Sequence, residues 1–206
     1  MRTVEVKVYS FEELTPEAQA KALDKVREFE QEFGMEPSVG DAVDTIKKAF
    51  DEFGINLKDW SIGTDRYRSF VRFDVDEHVE ELKGMRLRTW LLNNHYNLFF
   101  QKKTYGKHKE RANGKWSHDR YSKIIFVESS CPLTGVCYDE DFLDTFRAFI
   151  KKPNNSTLED LLNSAADDIF KTLESEYEWR TSDEGIMETS DINDSEFTEY
   201  GEVWNG

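Results

Sequence analysis

Residues Thr3 to Tyr9, TVEVKVY, set Val4, Val6 and Val8 against Glu5 and Lys7, and this two-residue alternation predicts a half-buried strand. The period then lengthens. Thr15 stands as a helix N-cap before Pro16, and Ala18, Ala22, Val26, Phe29 and Phe33 fall on one helical face, with Gly34 as the stop. A second helix is predicted from about Asp41 to Phe53, burying Val43, Ile46, Ala49, Phe50 and Phe53, with Gly54 as its C-terminal cap. INLKDWSI and RYRSFVRFDV read as two strands of a hairpin joined at Gly63-Thr64-Asp65, with Tyr67, Phe70 or Val71, and Phe73 competing for the buried face. A third helical segment covers roughly Glu77 to Asn97, its stripe being Val79, Leu82, Met85, Leu92 and Tyr96.

Residues 101–123 break the pattern. Gly106, Asn113-Gly114 and Ser117 argue for a loop or a long hairpin there, followed by a strand in KIIFVES. DEDFLDTFRAFIKKP then predicts a helix with acids at its start and lysines before Pro153. The last long helix starts at Thr157, has an acid three residues on, and carries Leu158, Leu162, Ala165, Ile169, Leu173 and Tyr177 at helical spacing. A short helix at Ser182 and the strand-like EFTEYGEVW close the chain. The expected class is α+β, a small mixed or antiparallel sheet packed with several helices in one domain, 1–206. The 101–123 segment is then an insertion, and 157–206 a helical and strand subregion.

Composition sharpens this. With 38% hydrophobic and 33% charged residues the 206-residue chain has enough apolar material for a core under a heavily solvated surface. No apolar run approaches the roughly 20 residues that cross a bilayer, so no membrane partner and a cytoplasmic location are expected. Cys131 and Cys137, in CPLTGVC, match neither a zinc knuckle nor a redox pair, and free thiols are expected.

Charge is unevenly placed. Residues 157–206 hold 15 acids against two bases, a net of −13 out of the −15 for the whole chain. Within 102–123 the balance reverses to eight bases against two acids. Lys102, Lys103, Lys107, Lys109, Arg111, Lys115, Arg120 and Lys123 alternate there with Tyr105, Trp116 and Tyr121. Cations neutralise phosphates while rings stack on unpaired bases, so these eleven residues are the candidate RNA contacts. His108 and His118 in the same segment are candidate catalytic groups. Metal-free RNA cleavage needs one base for the 2′-hydroxyl, one acid for the leaving oxygen and a cation for the phosphorane. The competing reading is a charged surface loop that pairs with the acidic tail of its own chain.

Other chemistry is weakly signalled. Nucleotide-binding glycine loops, zinc-protease pairs and nucleophile elbows are absent. Asp74/Asp76/Glu77, Asp139/Glu140/Asp141 and Asp167/Asp168 are acidic pairs able to hold a divalent ion, but 42 acids produce such clusters by chance. No cofactor is expected. His95 reads as a satisfied structural histidine. Glu159, Asp160 and Asp167, spaced along a helix, are candidate partner-binding acids that imitate a phosphate array before a basic channel.

Two stretches carry a resemblance. YSFEELTPEAQAKALDKVREF near the start and YEWRTSDEGIMETSDINDSEFTEYGEV near the end are similar to the opening and ending of a widespread family of phage and mobile-element proteins, often labelled antitoxin-like. Some relatives resemble type II anti-CRISPR inhibitors of Cas9, including ones associated with truncation of the guide RNA. The resemblance covers about a quarter of the chain. It implies a protein acting in a host bacterial cell on Cas9 or another basic nucleic-acid enzyme and on guide RNA, with a ribonuclease activity left open. The alternative is a non-enzymatic antitoxin or acidic DNA mimic acting by protein contact. The terminal motifs themselves look structural and carry no catalytic residues.

Overall fold

A computed structural model describes residues 6–100, 105–110, 116–120 and 131–204 of the protein, which divides into two compact units. Unit 1 comprises Met1–Gly40, Ile62–Ser69 and Phe170–Gly206; unit 2 comprises Asp41–Ser61 and Phe70–Ile169. The helices are α1 (Pro16–Phe29), α2 (Glu36–Glu52), α3 (Glu77–Glu80), α4 (Gly84–Asn94), α5 (Tyr96–Phe99), α6 (Tyr138–Lys151), α7 (Leu158–Thr181) and α8 (Asp183–Ile192). The strands form two antiparallel ribbons, β1 (Leu57–Ser61) with β2 (Phe70–Phe73) and β3 (Tyr105–Glu110) with β4 (Trp116–Arg120). The protein is therefore α+β, dominated by helix. The expected strand in KIIFVES and the first part of TVEVKVY lie outside the described residues.

Unit 1 joins the two chain ends. Tyr9 and Phe197 exchange backbone hydrogen bonds at 2.9 and 2.8 Å, and Phe197 bridges onward to Val203. Phe197, 1% exposed, packs with Leu14, Ala18 and Ala22 and meets the Phe11 ring edge-on at 6.1 Å. Burying one such ring contributes about 2 kcal/mol. The start of α1 follows from its cap: Thr15 Oγ1 accepts from the Ala18 N–H at 3.3 Å, and Pro16 has no donor to lose. Where α1 ends, Arg27 donates to the Thr181 carbonyl at 2.9 Å and pairs with Asp183, while Arg180 donates to the Gly34 carbonyl at 3.2 Å. The arginines satisfy carbonyls that helix ends leave bare.

Two expectations for this region are corrected. Phe29 and Phe33 are 58% and 49% exposed; after Phe29, α1 loosens into a wide π turn over Glu30–Gly34 that shifts the helical phase and takes Phe33 off the buried face. Gly34 ends no helix alone: α2 begins at Glu36, with Pro37 tolerated in its first turn.

Unit 2 gathers the larger core. Ile46, Ala49 and Phe50 of α2, Leu87 and Leu91 of α4, and Phe142, Leu143 and Phe146 of α6 are fully buried. Phe53 stacks on Phe146 at 4.8 Å, and Phe50 meets Phe73 of β2 edge-on at 4.9 Å. The cap expected of Gly54 is present, with φ +71° and the Ile55 N–H bonded to the Phe50 carbonyl at 2.9 Å. So is the start of α7, where Thr157 and Asp160 exchange backbone-to-side-chain hydrogen bonds at 2.9 and 3.1 Å.

The single helix expected over 77–97 is three. Gly84 adopts φ +55° after an extended Lys83, and His95 interrupts the chain again, so the helical phase is reset twice. Leu87 and Leu91 consequently take the core positions while Met85 is 61% exposed. Tyr67 is also corrected: it is 90% exposed, because the Arg66–Arg68 turn of 3-10 helix ends the strand alternation before reaching it.

Candidate nucleic-acid interface

The β3–β4 ribbon forms from residues with little intrinsic strand preference; Trp116 is the strongest strand former in the described part of β4. Its register pairs Tyr105 with Arg120, His108 with His118, Lys109 with Ser117 and Glu110 with Trp116, with an irregularity between Tyr105 and His108. Within 101–123, the described residues 105–110 and 116–120 pair as antiparallel strands. The consequence is specific: two histidines ten positions apart in sequence become direct cross-strand neighbours, whose Cα atoms in such ladders stand about 4.5–5.5 Å apart. Tyr105, Lys107, Lys109, Trp116 and Arg120 share the ribbon with them. Lys102, Lys103, Arg111, Lys115, Tyr121 and Lys123 lie outside the described residues.

Two-stranded ribbons fit nucleic-acid grooves, and aromatic positions beside cations suit unpaired bases.

The acids of α7 are less uniform than their spacing predicts. Asp160 is occupied as a capping residue, and the Thr157 backbone N–H and hydroxyl hold its carboxyl below the ordinary aspartate range. Asp167 is half-buried, its neighbour Asp168 accepts from Thr145 at 2.8 Å, and Glu159 is exposed. The denser acidic surface is in unit 1, which holds 21 acids against nine Lys or Arg, whereas unit 2 holds 21 against 18. A cleft of about 850 Å³ in unit 1 is lined by Glu12, Glu13, Glu188, Asp191, Asp194 and Glu196, with no base among its lining residues.

The acidic pairs singled out for metal binding have structural occupations. Asp139 is fully buried and accepts from the backbone N–H groups of Leu133, Thr134 and Gly135; Asp76 caps α3; Asp74 pairs with Lys58. Among the described residues no group of three or more His, Cys, Asp or Glu side chains is gathered to hold a metal ion. Cys131 and Cys137 are both free thiols. No described helix is long and apolar enough to cross a membrane.

His95 is a half-buried residue of unit 2. It sits between Phe53 at 4.9 Å and Trp90 at 5.1 Å, and burial lowers its pKa from 6.5, opposed by the Glu52 charge. A depressed histidine pKa means the unfolded chain binds the proton more tightly. The stability His95 contributes is therefore complete above about pH 6.5 and declines as the pH falls below it. Comparing urea midpoints at pH 7.5 and 5.5, a His95→Gln variant is expected to lose less stability on acidification than the parent; equal losses would remove His95 as a cause.

Comparison with known proteins adds no relative: no family model, no curated protein and no solved structure matches the chain.

Proposed function

We propose that this protein binds unpaired RNA through the 102–123 ribbon and acts as a phage or mobile-element inhibitor of a Cas9-type effector, the bound RNA being the guide. The observation that carries the RNA reading is the β3–β4 ladder, which concentrates bases and aromatics on one ribbon of an otherwise acidic protein. The effector class rests on the resemblance of the two chain ends. Those ends fold against each other around Phe197, so the two motifs constitute one structural module.

Truncation of the guide is the catalytic extension of this reading. One of His108 and His118 takes the 2′-hydroxyl proton as that oxygen attacks the adjacent phosphorus. The other protonates the departing 5′-oxygen, which leaves a 2′,3′-cyclic phosphate, and Lys109 or Arg120 offsets charge on the phosphorane. Incubating the protein with Cas9 carrying a labelled guide, with and without EDTA, and running the RNA on a denaturing gel tests the step. A shortened guide in EDTA that His108→Ala or His118→Ala abolishes is the expected result; an intact guide reduces the mechanism to binding.

The binding claim has its own test. Replacing Lys107, Lys109, Arg111 and Lys115 together by Ala is expected to remove RNA binding while circular dichroism is unchanged. The slope of log affinity against log salt should fall by about 3, at roughly 0.7 per single-strand phosphate contact. Unchanged binding would sink the proposal.

A second reading, a non-enzymatic antitoxin or acidic mimic that occupies a basic protein channel, is favoured by unit 1. Its acids outnumber its bases more than two to one, and Phe29, Phe33, Trp179 and Ile192 are exposed among them. Charge reversal at Glu188 and Asp191 in the acidic cleft then abolishes inhibition while the ribbon variant retains it. Glu159 joins that test, whereas Asp160 is unsuited to it because its loss also uncaps α7.

A further inference from the structure

The connection between β1 and β2, Ile62–Ser69, is the one segment of unit 1 in which bases outnumber acids. It has Arg66 and Arg68 against Asp65, whereas Met1–Gly40 carries nine acids to five bases and Phe170–Gly206 eleven to two. Its backbone is tied down locally. The Asp65 carboxylate accepts from the Tyr67 N–H at 3.0 Å, and the Asp65 carbonyl accepts from the Arg68 and Ser69 N–H groups at 3.1 Å. The Ser69 hydroxyl lies 3.0 Å from the same carbonyl and accepts from the Gly63 N–H at 3.2 Å. On this fixed turn Tyr67 is 90% exposed and the Arg68 side chain 87% exposed.

The rings that flank this turn in sequence, exposed Trp60 and half-buried Phe70, each meet a cation. Lys47 Nζ lies 4.6 Å from the centre of the Trp60 ring, and the Arg72 guanidinium 4.8 Å from that of Phe70. Tyr67 has no ring or cation contact among the described residues. Its two faces are open, between two arginines, on a turn that loses little entropy when it binds. Arg68 pairs with Asp65 at 3.1 Å, an exposed ion pair weak enough to be exchanged for a phosphate.

We propose that Arg66–Tyr67–Arg68 is a second nucleic-acid contact, in which Tyr67 stacks on an unpaired base and Arg68 neutralises the adjacent phosphate. The proposal rests on the RNA reading above and adds a surface that the basic 102–123 segment does not contain. Stacking on one ring requires an unpaired base and no particular sequence, so the contact selects single strands over duplex, and the RNA reading above makes the strand RNA.

Affinity for a labelled 12-nucleotide oligouridine and for an RNA duplex of the same length, measured with the full chain by fluorescence anisotropy, tests it. Tyr67→Ala is expected to weaken oligouridine binding roughly 5- to 150-fold and leave the duplex unaffected, while Tyr67→Phe, which keeps the ring, restores single-strand binding. Arg68→Ala is expected to lower the salt slope by about 1. Because Tyr67 is exposed, its loss leaves the fold intact, and thermal unfolding checks this. Oligouridine binding by Tyr67→Ala equal to the parent's overturns the proposal. If the four-residue ribbon variant loses binding in the same experiment, the RNA reading survives without this contact. If Tyr67→Ala weakens binding and the ribbon variant does not, the contact stands and the ribbon is displaced as the interface. A parent chain that binds neither RNA overturns both.

Discussion

Gly201→Ala is expected to destabilise unit 1 by about 3 kcal/mol or more, as the sum of two separate penalties. Gly201 has φ +77°, where an L side chain costs about 1–2 kcal/mol. A Cβ at this position would also stand 2.1 Å from the Ala18 carbonyl oxygen and 3.2 Å from the Ala22 nitrogen. Those atoms belong to the backbone of α1, so no side-chain rotation relieves the overlap; the tail turn must move off the helix, opening the contact that buries Phe197. Ala18 and Ala22, 5% and 1% exposed, are the small residues that allow the approach from the other side. Gly40→Ala is the matched control. Gly40 lies inside α2 with nothing within 4 Å of its added Cβ, so alanine there is expected to stabilise by about 0.5–1 kcal/mol. Urea unfolding of both variants checks the pair, and a Gly201→Ala protein as stable as the parent would show that the tail does not dock on α1.

That contact also marks the limit of what could be read from the chain. Local chemistry was legible: Thr15 before Pro16, Gly54 after α2 and the Thr157–Asp160 exchange all cap the helices they were expected to cap, and a short helix does open at Ser182, because each involves atoms within a turn of one another. Helical phase across an interruption was not legible. The π turn after Phe29 and the αL residue at Gly84 each rotate the following residues, and a periodic reading carried through them assigns Phe33 and Met85 to the wrong face. Strand alternation failed in the same way at Tyr67, although Gly63 and Asp65 beside it are turn formers. The pairing of Tyr9 with Phe197 spans nearly the whole chain, and neither residue's neighbours encode it.

The candidate site divides along the same line. Composition located the basic segment, and turn residues left a loop or a hairpin open. The register that sets His108 opposite His118 is a property of strand pairing, which the identities of the residues do not reveal. For the acids, composition counts charges without saying which donors they meet. Fifteen acids in the last quarter suggested a phosphate-like array along the first turns of α7, but Asp160 closes a capping exchange and Asp168 binds Thr145. A carboxylate is an acceptor before it is a charge, and its nearest donors decide what it does.

Asp139 is the strongest case, and Asp139→Ala is expected to cost unit 2 about 3–4 kcal/mol, within the range for removing one partner from a buried charged network. One carboxylate oxygen accepts from the N–H groups of Leu133, Thr134 and Gly135 at 2.8, 2.9 and 3.2 Å; the other accepts from the Thr134 hydroxyl at 2.7 Å and the Thr45 hydroxyl at 3.2 Å. The first cluster folds the Leu133–Gly135 turn against the start of α6, and the second ties that start to α2. Alanine strands all these donors together. Asparagine separates shape from chemistry, since it keeps the size but turns one acceptor into an NH2 group facing either three N–H groups or two hydroxyls. Asp139→Asn is therefore expected to lose most of what Asp139→Ala loses. If the carboxylate instead served a divalent ion, millimolar Mg2+ would raise the unfolding temperature of the parent and not of Asp139→Asn. With both oxygens already committed to protein donors, the expected result is no shift for either, and a shift confined to the parent would return Asp139 to the list of metal ligands.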